Sequence, residues 1–211
     1  MIDQGRIELN LLDRSTVRTR ARNVAIAAVV LGAAVGGVFG LFAGVTGFAI
    51  AGLVIALPFL LLAVTEARKT TFLQDGTVSV RALGTRSVAL GSAERLDVIV
   101  TDLRGARTVN LLVRGRSRRA LTVSLAMYAG TGGRELGIYE LRRLADALAS
   151  TGSAQALVLS ELIVAQLRAE ARGDGAPDRP LYRLASLAPE GRVAQQLKPE
   201  AVARFVAELD G

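Results

Sequence analysis

Hydrophobic and polar positions divide this chain into three regimes. Residues 24–65 carry no charged side chain, an apolar block of 42 residues broken only by Gly44-Val45-Thr46-Gly47 near its middle. About 20 apolar residues cross the ~30 Å hydrocarbon core of a bilayer. The block therefore predicts two transmembrane helices, 24–43 and 48–65, joined by a tight turn. After Lys69 the period changes to two. Thr70–Gln74 leads to Asp75-Gly76, and Thr77–Arg81 then alternates cleanly. Asp-Gly between two such runs is a hairpin signal. Further strands are predicted over 87–90, 96–101, 108–113 and 120–126, with turns at 91–94, around Gly105 and at 116–119.

From Glu135 or Ile138 the period becomes helical, with Leu136, Tyr139, Leu141, Leu144 and Leu148 as the expected buried positions. Six or seven antiparallel strands thus precede a helix that caps an open sheet. Residues 150–153 begin a linker. Ala154–Arg172 reads as a helix whose arc of Leu157, Leu159, Leu162, Ile163, Val164 and Leu167 is too wide to lie alone in water. It is also too short and polar to span a membrane. Residues 173–180 form a turn-rich break, and 199–209 a last short helix with Val202, Phe205, Val206 and Leu209 on one side. Two destinations stay open for these helices: back onto the sheet domain, or onto a partner.

Charge orients the block. Arg14, Arg18, Arg20 and Arg22 precede it, Arg68 and Lys69 follow it, and the turn between the spans is uncharged. Cationic flanks at both outer ends predict both termini in the cytoplasm. A cleaved signal peptide over 24–43 is the competing reading. Its apolar stretch exceeds the usual h-region of ~7–15 residues, and a second span follows at once. The net charge of +7 divides as +2 over residues 1–23, +1 over 66–69, +5 over 70–150 and −1 over 151–211.

The order of elements resembles the bacterial pleckstrin-homology-like membrane proteins of actinobacterial type. The residues that carry the likeness are the double span running into Thr71-Phe72-Leu73-Gln74-Asp75-Gly76-Thr77-Val78, then Leu83-Gly84-Thr85-Arg86-Ser87-Val88. A closing helix follows, Leu141-Arg142-Arg143-Leu144-Ala145-Asp146-Ala147-Leu148. The resemblance covers about residues 24–150 and rests on layout. It implies a membrane α+β protein: a two-helix transmembrane hairpin, then a pleckstrin-homology-like antiparallel β-sandwich or barrel capped by a helix at 70–150. A cytoplasmic segment over 1–23 and a helical appendage over 154–211 complete the chain. Eukaryotic members of the fold often bind phosphoinositides through a basic loop between their first two strands. Here that turn is Asp75-Gly76, short and acidic, so the resemblance implies a scaffold for protein contacts or assembly at the inner membrane.

The chain has no Cys, His or Trp. Thiol and imidazole nucleophiles, the usual zinc sites and iron–sulfur clusters are therefore excluded, and no catalytic residue, cofactor site or metal site is predicted. In the first span Gly32, Gly36, Gly40 and Gly44 recur every four residues, with Gly52 and Ala56 at the same spacing in the second. Such a face lets backbones approach closely in lipid, either within the hairpin or against a membrane-protein partner or second copy. Pro58 predicts a kink. Arg114, Arg116, Arg118 and Arg119 form the densest cationic cluster, which anionic lipid headgroups could take up. No aromatic residue is interleaved to stack bases, so nucleic acid is not an expected partner.

Tyr128-Ala129-Gly130-Thr131-Gly132-Gly133 lacks the Lys of a phosphate loop and reads as a flexible link. Asp97 and Asp102, five residues apart on a strand, face opposite sides and suit pairing with Arg95 and Arg104. No small-molecule substrate is evident. The leading expectation is a non-enzymatic scaffold or accessory subunit of an inner-membrane complex. The alternative is an anionic-lipid-sensing module built on the basic hairpin.

Overall fold

The computed structural model describes residues 5–82, 84–116, 120–189 and 193–209, apart from the side chain of Arg14. It separates into two compact units. One holds residues 12–69 with 81–84, and the other holds 1–11, 70–80 and 85–211.

The first unit is dominated by helix α1, Arg14–Arg68. It is the one helix among the described residues that is long and apolar enough to cross a membrane. It begins ten residues earlier than the charge pattern predicts, so Arg18, Arg20 and Arg22 sit on helix rather than on a flanking tail. Its two arms meet at a kink at Gly44, whose φ of 64° and ψ of −159° are non-helical. A positive φ is open to glycine without steric cost. The chain reverses here. Gly32 and Gly52 would stand ~30 Å apart on a straight helix, yet a Cβ on Gly32 would lie 2.8 Å from the Gly52 carbonyl oxygen. Pro58 is accommodated inside the second arm.

The second unit contains two sheets. Strands β1 (Ile7–Glu8), β2 (Thr70–Gln74), β3 (Thr77–Arg81) and β4 (Thr85–Ala89) form a four-stranded sheet in that order. Asp75 and Gly76 both have positive φ, 48° and 69°, as a two-residue turn between twisted strands requires. Strand β1 lies before the apolar block, where no strand is predicted. It pairs antiparallel with β2 through Ile7↔Leu73 and Glu8↔Phe72. Leu9 N–H donates to Thr71 O at 2.8 Å, Asn10 Oδ1 accepts from Thr71 N–H at 3.0 Å, and the Arg6 guanidinium covers the Phe72 ring at 3.9 Å.

The other sheet comprises β5 (Arg95–Leu103), β6 (Ala106–Arg114), β7 (Ala120–Ala129), β8 (Gly132–Glu135) and β9 (Ala194–Gln196), in the order β8-β7-β6-β5-β9. All four pairings are antiparallel. A bulge shifts the β6–β7 register, so that Val109 faces Ala126 and Asn110 faces Ser124. Leu125 is the extra residue, and it reverses the inward parity of β7. Leu121, Val123 and Leu125 are buried before the bulge, and Ala126 and Tyr128 after it. A bulge leaves one residue unpaired and re-aims those that follow. The predicted flexible link at 128–133 is instead the end of β7, a turn and β8.

Helices α2 (Ile138–Ala149), α3 (Ala154–Arg172), α4 (Pro180–Ser186) and α5 (Pro199–Ala207) complete this unit. Leu141, Leu144 and Leu148 of α2 share one hydrophobic core with Val78 and Val88 of the first sheet and Val98, Leu111 and Val123 of the second. The same core takes in Leu162 and Ile163 of α3, Leu181 and Leu184 of α4 and Phe205 of α5. The C-terminal helices are therefore part of the fold. Two predicted core positions are exposed: Tyr139, at the start of α2, and Leu157 of α3. Helix α4 and strand β9 are additional to the predicted elements.

Candidate functional site

The glycine face is enclosed between the arms of α1. A Cβ on Gly32 would approach Ala56 Cβ to 2.9 Å, and one on Gly36 would come within 2.7 Å of Phe48 O and 3.3 Å of Gly52 Cα. One on Gly40 would meet Phe48 Cβ at 3.2 Å. The contacts are symmetric about Gly44, with residue 32 against 56, 36 against 52 and 40 against 48. Each small residue permits an approach that a larger one would block, and dispersion over that seam helps hold the arms together. Gly44 serves as the bend, with no atom near its vacant Cβ position. Gly32, Gly36 and Gly40 thus face Gly52, Ala56 and Phe48 of the other arm.

The outward surface of the arms is the reverse of a soluble protein's. Leu41, Phe42 and Val45 near the bend are more than four-fifths exposed, and Ile26, Val30, Leu53, Val54 and Leu62 are more than half exposed. Only 6% of the most apolar window of α1 is buried. A core helix of a soluble protein would be mostly covered. Contiguous apolar surface of this extent marks contact with lipid or protein.

In the folded unit, Arg114 and Arg116 are exposed at the end of β6, while Arg118 and Arg119 lie outside the described residues. Arg114 stands directly opposite Arg95 in the β5–β6 ladder. The Arg95 Nε donates to Asp97 Oδ1 at 3.0 Å, as the sequence suggests. Asp102 pairs instead with Arg107 at 3.5 Å. Arg104, its expected partner, occupies the β5–β6 turn with a positive φ of 55°.

A polar cluster that sequence reasoning misses ties β7 and β8 to the segment before α4. Tyr128 Oη donates to Glu135 Oε1 at 2.6 Å. Arg179 donates to Glu135 Oε2 at 2.5 Å and to the Asp174 carbonyl at 2.9 Å. Tyr182 packs edge-on against Tyr128, with centroids 5.1 Å apart, and donates to Gly130 O. Burial first, then the hydrogen bond to Glu135, pushes the Tyr128 phenol well above its ordinary range. These groups satisfy one another. Only a signal for the β7 bulge could have revealed them, because alternation from Leu121 onward points Tyr128 away from the core. A cavity of about 280 Å³ lies between β5 and the first turns of α3 and α5, lined mainly by apolar residues such as Leu96, Val158, Leu197 and Val202. Among the described residues, no group of three or more acidic side chains is placed to hold a metal ion.

Comparison with protein-family models, curated proteins and solved structures finds no match to this chain.

Proposed function

We propose that the protein is a non-enzymatic, membrane-anchored scaffold or accessory subunit of a larger inner-membrane assembly. In this reading the apolar block crosses the bilayer twice, both termini are cytoplasmic, and the pleckstrin-homology-like sheets with their helices make protein contacts. The observation that carries it is closure around the block: β1 precedes it, β2 follows it, and the two are neighbours in one ladder. A segment that leaves and re-enters one ladder has both ends on the same side of any membrane it enters. Each arm brings about 20 apolar residues, or ~30 Å of helix, which matches the hydrocarbon core. The arginines at the open end favour the cytoplasmic side. With the glycine face occupied internally, partner contacts within the bilayer fall to the outer apolar faces of the arms.

The absence of cysteine from the chain makes topology directly measurable. Single cysteines at Ser15, Thr46 and Ser150 are to be treated with a membrane-impermeant maleimide on intact cells. Labelling at Thr46 alone, with the other two reactive only after lysis, is expected. Opposite behaviour of Ser15 and Ser150 would establish a single crossing and end the hairpin reading. In-cell crosslinking and purification in mild detergent test the scaffold role, which does not survive recovery of a lone, uncrosslinked monomer.

A further inference from the structure

The open end of the hairpin is an unusually cationic surface. Arg18, Arg20 and Arg22 stand on the first arm, and Arg68 and Lys69 end the second. Arg81, the last residue of β3, belongs to the same compact unit as the hairpin. All six side chains are exposed, and among the described residues none forms an ion pair. This unit holds seven basic and two acidic residues, Asp13 and Glu66, and so carries +5 of the chain's +7.

Placement sharpens the imbalance. The arms match residues symmetrically about Gly44, and the same spacing continued outward sets Arg20 level with Arg68, like charge against like. The basic positions also begin where the uncharged block ends, two residues before Val24 and three after Thr65. On a continuous helix their height relative to the apolar surface is fixed. Guanidinium groups at that height match phosphate geometry through paired N–H donors.

We propose that this open end is a binding collar for anionic phospholipid headgroups, with phosphatidylglycerol-type lipids as its partner class. The proposal rests on the reading that the apolar block is membrane-embedded. It is distinct from the Arg114–Arg116 end of β6, which lies in the other compact unit. Each basic side chain held at an anionic surface strengthens association on the order of fivefold. Part of that preference is realised among lipids already in contact with the protein.

The test uses the full chain in phosphatidylcholine vesicles containing traces of spin-labelled phosphatidylglycerol or phosphatidylcholine, with electron paramagnetic resonance reading the motionally restricted fraction of each. Phosphatidylglycerol should be favoured about threefold or more at low salt, and the preference should fall toward unity at about 0.5 M sodium chloride, where screening is short-ranged. The combined change Arg18→Gln, Arg20→Gln, Arg22→Gln, Arg68→Gln, Lys69→Gln and Arg81→Gln should abolish the preference and leave restricted phosphatidylcholine in place. Arg114→Gln with Arg116→Gln should leave the preference intact.

Equal restriction of both lipids by the unaltered protein would overturn the collar, as would loss of the preference in the Arg114/Arg116 variant alone. Displacement by inorganic phosphate beyond that by chloride at equal ionic strength would overturn the lipid assignment in favour of a soluble anion. No restricted component with either label would refute membrane embedding itself. Should the sixfold variant fail to insert, the unaltered protein's lipid comparison and salt dependence still decide.

Discussion

Gly36 and Gly37 are adjacent, yet their environments are opposite, and that contrast gives the sharpest test of the hairpin. A Cβ on Gly36 would sit 2.7 Å from the Phe48 carbonyl oxygen, whereas one on Gly37 would find no atom within 4 Å. Ordinary C···O contacts run at about 3.3–3.6 Å. A side chain at Gly36 therefore forces the arms apart by more than half an ångström for its first atom alone. A gap of about 0.5–1 Å forfeits a quarter to a half of the dispersion energy along the seam. Gly36→Leu should destabilise the closed hairpin by about 2–3 kcal/mol, at the upper range for overpacking. Gly37→Leu should be neutral or stabilising by up to ~1 kcal/mol, since it replaces a poor helix former on an open face. Donor and acceptor dyes on cysteines introduced at Asn23 and Thr65, followed through a denaturing-detergent titration, read arm separation directly. Equal effects at the two positions would refute intramolecular packing. A Gly36 effect that scales with protein concentration would assign the face to self-association.

Other outcomes follow from the folded unit. Tyr128→Phe keeps the ring contact with Tyr182 but removes the donor to Glu135 Oε1, and should cost about 1–3 kcal/mol in chemical denaturation. Because the Tyr128 phenol is raised above its ordinary range, its contribution to stability is complete below pH ~10 and is lost as pH rises beyond it. The phenolate absorbance that distinguishes the wild type from Tyr128→Phe should therefore emerge only with unfolding, and emergence in the native state would contradict it. Asn10→Ala removes the acceptor for Thr71 N–H, should cost about 1 kcal/mol, and should speed hydrogen exchange at Thr71. Deletion of Leu125 removes the bulge and turns Tyr128 outward, so it should cost more than Leu125→Ala. A milder effect of the deletion in a melting experiment would contradict the parity argument.

How far the sequence reveals this fold depends on whether a feature is periodic or contextual. The strands of both sheets fall at or near the positions read from 70–81 and 96–126, although Val109–Val113 of β6 are buried in an unbroken run, as in a strand covered on both faces. Ala154–Arg172 matches its predicted span because Gly173, with φ of 79°, stops it. Tyr139 misleads because α2 begins at Ile138, and its first turn projects past the core before Leu141 enters it. Strand β1 is invisible because two residues carry no period, and their partner lies beyond the apolar block. The Tyr128–Glu135–Arg179 cluster is invisible for a related reason. It depends on one inserted residue in β7 and on Arg179, 44 positions from Glu135. The glycine spacing and the turn at Gly44 are legible in the sequence, whereas which residues stand opposite, Gly32 at Gly52 and Ala56 and Gly36 at Phe48, depends on the three-dimensional register of the arms.

The hairpin and β1 depend on each other more than their sizes suggest. The β1–β2 ladder contains only two residue pairs, too few to support an independent sheet. Closing a flexible loop of about 60 residues between them would cost roughly 3–4 kcal/mol. Packing of the arms from Gly32–Ala56 to Gly40–Phe48 removes most of that cost beforehand, because it returns the chain toward its starting point. Opening the arms should therefore release β1. The prediction is that Gly36→Leu, far in sequence from both strands, raises hydrogen exchange at Leu9 and Thr71 while amides of the β6–β7 ladder such as Leu111 and Val123 stay protected. A uniform rise across both sheets would mean global destabilisation. No rise at Leu9 and Thr71, in a variant whose arms have separated, would mean that the strand holds without the hairpin.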